Sequence, residues 1–352
     1  MRIIAFTSGY KVPSAIYRIR EYLDYLRELN INVDEYYPYI NKNEPPPYVP
    51  TGLQFKYIAP YVIFWFLFKL SFRVRALLKQ SEYDVAWLNR EFLPGLYTLE
   101  RFIKIPYVLD FDDAIWLSKP KGEDSFKLLC ENAAHIVAGN DFLAEKAMKY
   151  NVNVSVIPTS VDTNKIYPLN LVNLKFTLGW VGTAANFIYL YDIEMELVEF
   201  LEKTESQLLI VSNIKPVFSN LVEGKHWKFR LWDKNDENIF FNEIDVGIMP
   251  LAESDWEKGK CSFKMLQYLA AGKPVVVSPV GTNVNILNKG NCGLFANANE
   301  WADKLSILYY SCSLRAEMGL RGRNFVCDNY SIEANIDKLR TIFEEVANEK
   351  RT

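Results

Sequence analysis

Two lysines four residues apart, Lys260 and Lys264, are the side chains of this sequence best suited by type and spacing to hold an anion, and Gln267 follows them at helical spacing. At about 100° per residue, Lys260, Lys264, Gln267 and Ala271 fall on one side of a helix, with Met265, Leu266 and Leu269 on the other. Two ammonium groups beside the unpaired N–H groups of a first helical turn would suit a phosphate. The same pattern also describes the solvated face of an ordinary amphipathic helix. A second group, Asp110, Asp112 and Asp113, closes the stretch PYVLDFDD. Carboxylates packed so closely must be solvated, paired or used. They could hold an acceptor hydroxyl, take its proton or bind a divalent ion, or they could cap a helix and carry exposed charge. The two histidines add little: His135 lies on a strand and reads as structural, and His226 sits in a polar turn, so histidine-based catalysis is not expected.

The elements around these residues read as α/β. In FNEIDVGIMPLAESDWEKGKCSFKMLQYLAAGKPVVVSPV, Phe241 to Val280, a strand is predicted over Ile244 to Met249, an acidic loop over Pro250 to Gly259, a helix over Lys260 to Ala271 and a strand over Val275 to Ser278. Gly272 stands where a helix C-cap belongs, and Pro274 follows where the helix cannot continue. The carboxylates end a strand predicted over Pro106 to Phe111. The chain opens with a strand, Arg2 to Phe6, then Thr7, Ser8, Gly9 and Pro13, then apolar helical spacing from Ile16 to Leu29. Ligands of such sheets lie at the carboxyl ends of the strands, so Ser8 to Ala15 is expected to border a cleft. Further strands are predicted at Tyr83 to Leu88, Leu208 to Ser212, Phe229 to Trp232 and within Phe176 to Thr183. The last of these ends in Gly182, Thr183 and Ala184, small enough for close backbone approach to a ligand.

With 352 residues, 49% of them apolar, the chain can build two cores. A net charge of −3 gives no basic surface for nucleic acid, and no such partner is expected. Five cysteines without C-x-x-C spacing point to reduced thiols rather than disulfides or zinc, and no metal site is expected. Met1 leads directly into the strand RIIAF, so a cytoplasmic location without signal peptide is expected. Asn41 to Pro50, with four prolines, reads as an irregular loop. In Tyr57 to Gln80 an apolar core, Tyr61 to Phe68, is shorter than the roughly 20 residues that span a bilayer. Lys69, Arg73, Arg75 and Lys79 follow it. Aromatics followed by cations fit a helix lying in the inner face of a membrane, and they equally fit a buried helix with a basic end.

The stretch 241–280 resembles the donor-site segment of retaining GT-B glycosyltransferases, in particular glycosyltransferase family 4. The likeness lies in the DVGIMPL strand, the variable loop, the helix ending in LAAGKPVV and the small-residue turn SPVGTN. It extends to SAIYRIREYLDYL, to NREFLPG, to VSVIPTSVDTNKIYP and to the tail from Ser313 to Val346. The resemblance implies an α/β GT-B fold, two Rossmann-like domains facing a cleft. Residues 1–167 would bind the acceptor, residues 168–335 the nucleotide sugar, and residues 336–352 would form a helix packing back on the first domain. It implies transfer of a sugar, with retention, from a nucleotide diphosphate sugar to an acceptor hydroxyl; the aromatic and basic segment 57–80 suggests that the saccharide acceptor is lipid-linked or belongs to a cell-surface polysaccharide or glycolipid built at the membrane. No cofactor beyond the donor is implied.

By position, Lys260 and Lys264 would contact the diphosphate and Gln267 the ribose. Gly281, Thr282 and Asn283 would lie beside the diphosphate or sugar, Trp232 by the nucleobase, Gly182 and Thr183 at the donor, and Arg18 or Arg20 at the active site. The family commonly has two glutamates eight residues apart where this sequence has Gly259 and Gln267; Glu253, Asp255 or Glu257 could replace the first. That departure keeps an inactive GT-B partner subunit open as an alternative, alongside a nucleotide-sugar epimerase of the same architecture.

Overall fold

The computed structural model describes residues 1–47, 55–169, 171 and 173–349; the end of the proline-rich loop, 48–50, and residues 350–352 lie outside them. The chain divides into two compact units, Met1–Ser160 together with Asn335–Thr352, and Val161–Ala334.

The first unit is built on six parallel strands: β1 (Arg2–Phe6), β2 (Asn32–Tyr36), β3 (Val85–Asn89), β4 (Tyr107–Phe111), β5 (His135–Ala138) and β6 (Val154–Val156). Their order is β2-β1-β3-β4-β5-β6, so the winding reverses between β1 and β3. The continuous apolar runs of β3 and β4 are buried along their whole length, as strands covered on both faces must be. Trp87 on β3 is fully buried and meets Phe343 of the helix Ile332–Glu349 edge-on, centroids 5.0 Å apart. His135 spends its ring on Ser155, Nε2 to Oγ 3.0 Å, a structural contact. The opening helix is broken rather than continuous: Pro13–Arg18, a tight turn at Arg20–Tyr22, then Leu23–Glu28.

The aromatic segment forms one helix, Phe55–Lys79, and it fits neither expectation whole. Phe64 and Leu67 are 65% and 60% exposed, and Ile63 and Phe68 are exposed too. Two of the four cations, however, turn inward. Lys69 Nζ donates to the carbonyls of Lys42 (2.9 Å) and Glu44, and Arg73 to those of Thr7 (2.6 Å) and Tyr36 (3.2 Å). Of the other two, Arg75 is exposed and Lys79 is half-buried. No helix among the described residues is long and apolar enough to cross a membrane.

The second unit repeats the plan with β7 (Thr177–Val181), β8 (Gln207–Ser212), β9 (Trp227–Leu231), β10 (Val246–Met249), β11 (Val275–Val277) and β12 (Gly293–Phe295). The order is β12-β11-β10-β7-β8-β9, all parallel, with the reversal between β7 and β10. One face is covered by a core containing Leu178, Phe200, Leu305 and Trp301, the other by one containing Phe241, Met265, Tyr268 and Val277. Gly247 makes the second possible: a Cβ there would stand 2.4 Å from the Tyr268 ring, which lies on the strand while its hydroxyl accepts from Val181 N at 2.9 Å. Gly272 ends the helix at φ +71°, as its position in the sequence suggests.

The predicted helix Lys260 to Ala271 needs correction. A single turn, Asp255–Lys258, capped by Ser254, precedes a break, and the helix proper runs Phe263–Ala270. Ser262 at the break has φ +53° and donates to Asn283 Oδ1 at 2.6 Å. Lys260 therefore lies before the helix and does not share a helical face with Lys264.

Candidate active site

Reversal of winding leaves a crevice at the carboxyl ends of the strands that flank it, β7 and β10 in the second unit. Lys260 comes from the loop after β10 and reaches the segment after β7. Its Nζ donates to Asn186 Oδ1 at 3.0 Å and lies 4.7 Å from the Tyr189 ring centroid and 3.9 Å from Glu257 Oε1. Glu257 accepts from Tyr189 Oη and Ser254 Oγ. Burial acts to raise its pKa, but these bonds and Lys260 prevail and hold it below the usual carboxylate range. Thr282 Oγ1 donates to the Lys260 carbonyl at 3.1 Å. Gly281, at φ +53°, presses on the same loop, since a Cβ there would meet Lys258 Cα at 3.0 Å and Lys258 O at 3.2 Å. Asn283 is fully buried, donating to Ser278 O at 3.0 Å as well as accepting from Ser262, so its side chain is committed to the fold.

Lys264 stands on the first turn of the helix proper. Its Nζ donates to Gln267 Oε1 at 3.1 Å and lies 5.5 Å from the Phe263 ring. Burial pushes its pKa below that of an ordinary lysine, with Glu237 opposing. Gln267 is fully buried, and its Nε2 finds no hydrogen-bond acceptor. Trp232, just past β9, donates from Nε1 to Glu237 Oε1 at 3.1 Å and borders a hollow with Val181, Val211 and Phe240. Gly182 admits the Trp180 ring, which a Cβ would meet at 2.5 Å, and Thr183 Oγ1 accepts from Asn186 at 3.1 Å. Tyr189 and Asn186 contact Lys260 and were not expected from the sequence; their one signal is that they follow the small-residue loop. Tyr189 also borders a 520 Å³ pocket lined by Asp192, Glu253, Ser278, Asn297 and Trp301.

In the first unit the three aspartates part company. Asp110, on β4, is buried and forked by Arg18, Nε to Oδ1 2.8 Å and Nη2 to Oδ2 3.1 Å, while Arg18 also donates to Ile157 O at 2.7 Å. Burial raises the Asp110 pKa against the pull of Arg18. The Arg18–Asp110 pair is buried, and both side chains are committed to these contacts. Arg20 is engaged with Glu35, Nε to Oε2 2.7 Å. Asp112 and Asp113 lie beyond β4, where both meet Arg90 and Asp112 also accepts from Ser14 Oγ at 2.8 Å. Burial opposes ionisation of Asp112, but Arg90 and Arg18 outweigh it and depress its pKa. Among the described residues no group of His, Cys, Asp and Glu could hold a metal ion.

The fold has known counterparts. Residues 175–310 match the family model of glycosyl transferases group 1. Among curated proteins none matches the sequence. Solved structures resemble nearly the whole chain. Sucrose-phosphate synthase from Thermosynechococcus elongatus superposes with TM-score 0.69 at 16% identity, over 98% of this chain and 99% of that one. Anabaena Alr3699/HepE, solved with UDP-glucose, gives 0.66 at 13% identity over 99% of each chain. WaaG, a glycosyltransferase involved in lipopolysaccharide biosynthesis, gives 0.61 at 14% identity, over 95% of this chain and 99% of that one. The architecture is that of the GT-B glycosyltransferases. The segment that matches the group 1 model lies within the second unit.

Proposed function

We propose that the chain is a retaining glycosyltransferase that moves a sugar from a nucleotide diphosphate sugar on its second unit to an acceptor hydroxyl bound by its first. The observation that carries this reading is that the matched segment includes the strand ends at the β7/β10 reversal, where Lys260 meets the Gly281–Thr282 turn, and the helix that opens with Lys264 on its first turn. Charge builds on the leaving diphosphate as the sugar becomes oxocarbenium-like, and preorganised cations and N–H donors there can each contribute about 2.7–4 kcal/mol to the transition state. In this scheme Lys264 takes the diphosphate, Trp232 backs the nucleobase, and the unpartnered Gln267 amide meets a ribose oxygen. Neither histidine serves, since His135 holds Ser155 and His226 Nδ1 accepts from Val222 N at 3.0 Å. The leaving phosphate itself then takes the acceptor's proton.

A uridine donor is favoured by the likeness to a protein solved with UDP-glucose. The exposed apolar face of Phe55–Lys79, flanked by Arg75 and Lys79, supports contact with the inner membrane face. A lipid-linked acceptor, in glycolipid or cell-surface polysaccharide synthesis, fits that contact. The test is calorimetric titration of UDP- and GDP-sugars into the wild type and Lys264→Ala. Binding of one donor that is lost in the variant supports the reading; no binding by the wild type across the panel would turn it toward an inactive partner subunit.

A further inference from the structure

We infer that Tyr189 is a positioning residue for Lys260: its hydroxyl occupies Glu257 and stands between the two charges, so that the ammonium stays exchangeable and a nucleotide diphosphate can take it. This rests on the glycosyltransferase reading above and adds to it a residue and the means by which its cation is kept usable.

The two residues come from the two strands that flank the reversal of the second sheet. Tyr189 lies on the helix Phe187–Asp192 after β7, and Lys260 on the loop after β10. The ammonium rests 4.7 Å from the ring centroid and 3.5 Å from Oη, and Asn186 Oδ1 accepts from it at 3.0 Å. Glu257, buried, supplies the opposite charge, yet at 3.9 Å it is past hydrogen-bond reach. Both its oxygens are already engaged: Oε1 accepts from Tyr189 and Oε2 from Ser254. The phenol thus bridges the pair, donating to the carboxylate while it faces the ammonium. Burial and the bond to Glu257 hold the Tyr189 pKa well above its ordinary value, so the hydroxyl keeps its proton. Among the other charges here, Lys258 lies 3.8 Å from Glu253 and 4.0 Å from Asp255, and Asp192 ends the tyrosine's own helix and adds to the negative side.

A half-buried ammonium needs a counter-charge, and a counter-charge that grips it competes with an anionic ligand. Direct hydrogen bonds between ionised partners are the strong ones. Here two hydroxyls hold the carboxylate back, so Lys260 is neutralised at a distance without being gripped. A diphosphate oxygen that reaches Nζ then displaces a weak contact rather than a strong one. Without the phenol oxygen, Glu257 Oε1 would lose its partner with Nζ only 3.9 Å away, and the two charges would close into a direct pair.

The test is calorimetric titration of UDP, with GDP alongside, into the full chain and its variants. Tyr189→Phe keeps the ring and removes the hydroxyl, and nucleotide affinity should fall about 10-fold, the low end for a hydrogen bond to a charged group. Glu257→Gln should bind at least as tightly as the wild type. Tyr189→Phe combined with Glu257→Gln should match Glu257→Gln alone, since an amide has no charge with which to capture the lysine. Lys260→Met should bind more weakly than the wild type, and adding Tyr189→Phe to it should change nothing further. Unchanged affinity in Tyr189→Phe or in Lys260→Met would overturn the inference. So would a loss in Tyr189→Phe that Glu257→Gln does not cancel, because the hydroxyl would then serve the fold or touch the ligand itself. If Tyr189→Phe does not fold, Ser254→Ala releases the other oxygen of Glu257 and puts the same question, with the same outcomes deciding it. A wild type that takes up neither nucleotide would overturn the donor reading itself, and this inference with it.

Discussion

Replacing Lys264 with methionine separates what the residue does for the fold from what it does for a ligand. The side chain is half-buried, burial lowers the pKa of its ammonium, and its Nζ reaches Gln267 Oε1 at 3.1 Å. Methionine has similar length and adaptable rotamers, so packing survives and the desolvation cost disappears. Against that, Gln267 loses the partner of its carbonyl while its Nε2 already lacks one, a penalty of about 1–3 kcal/mol for a buried carboxamide. The two terms oppose each other and are of similar size, so net stability should change by no more than about 1 kcal/mol, or ~2–4 °C in Tm for a unit of this length. Binding has no such offset. One hydrogen bond from a partly buried cation to a phosphate is worth ~1.5–3 kcal/mol, about 10- to 150-fold in Kd. Titrating UDP into both proteins and melting both measures the two effects separately. The pH dependence adds a third readout. Because the Lys264 pKa is lowered, the charged form that binds phosphate is lost at a less alkaline pH than for a surface lysine. Wild-type affinity should fall as pH rises through that range, and the methionine variant should lack the fall. A variant that loses several kcal/mol of stability with unaltered UDP affinity would refute the reasoning.

Gly281→Ala should lower the Tm of the second unit and weaken UDP binding together, because the strained backbone costs ~1–3 kcal/mol and the new Cβ pushes on the loop that carries Lys260. Unchanged melting would show that the turn tolerates a side chain. Serine at Phe64, Leu67 and Phe68, all exposed, should leave stability within about 0.5 kcal/mol per site yet abolish co-sedimentation with phosphatidylglycerol vesicles. A wild type that does not sediment, or a variant that still does, would remove the membrane contact. Asp112→Asn should cost about 1.5–3 kcal/mol in urea unfolding at neutral pH. Its folded pKa is depressed, so the stability it lends is present above the ordinary carboxylate range and is lost as pH falls through the folded value. The gap between wild type and variant should therefore close on acidification.

Apolar runs bounded by glycine and proline made the strands legible, as did the C-cap at Gly272, because those signals are local. The site was legible as a region and less so as a geometry. Helical spacing continues without interruption from Lys260 to Ala271, and nothing nearby announces the break. It is held by Asn283, 21 residues beyond Ser262 in the chain. Asp110, Asp112 and Asp113 are neighbours in sequence, yet Asp110 faces a buried arginine 92 residues away while the other two leave the strand. Lys69 and Arg73 look like part of a basic helix end because their partners are backbone carbonyls, which leave no trace in residue type.

The edge-on contact of Trp87 with Phe343 bears on the order in which the molecule is made. Leu339, Ile342, Phe343 and Val346 are buried, and the segment from Asn335 belongs to the first unit although it is translated after the whole of the second. On the ribosome, β3 emerges early and must wait, its Trp87 lacking a lid, while the contiguous residues Val161–Ala334 have everything needed to fold. The unit synthesised first is thus the last to close its core, and a stalled or shortened chain would leave that tryptophan open to solvent and to chaperones.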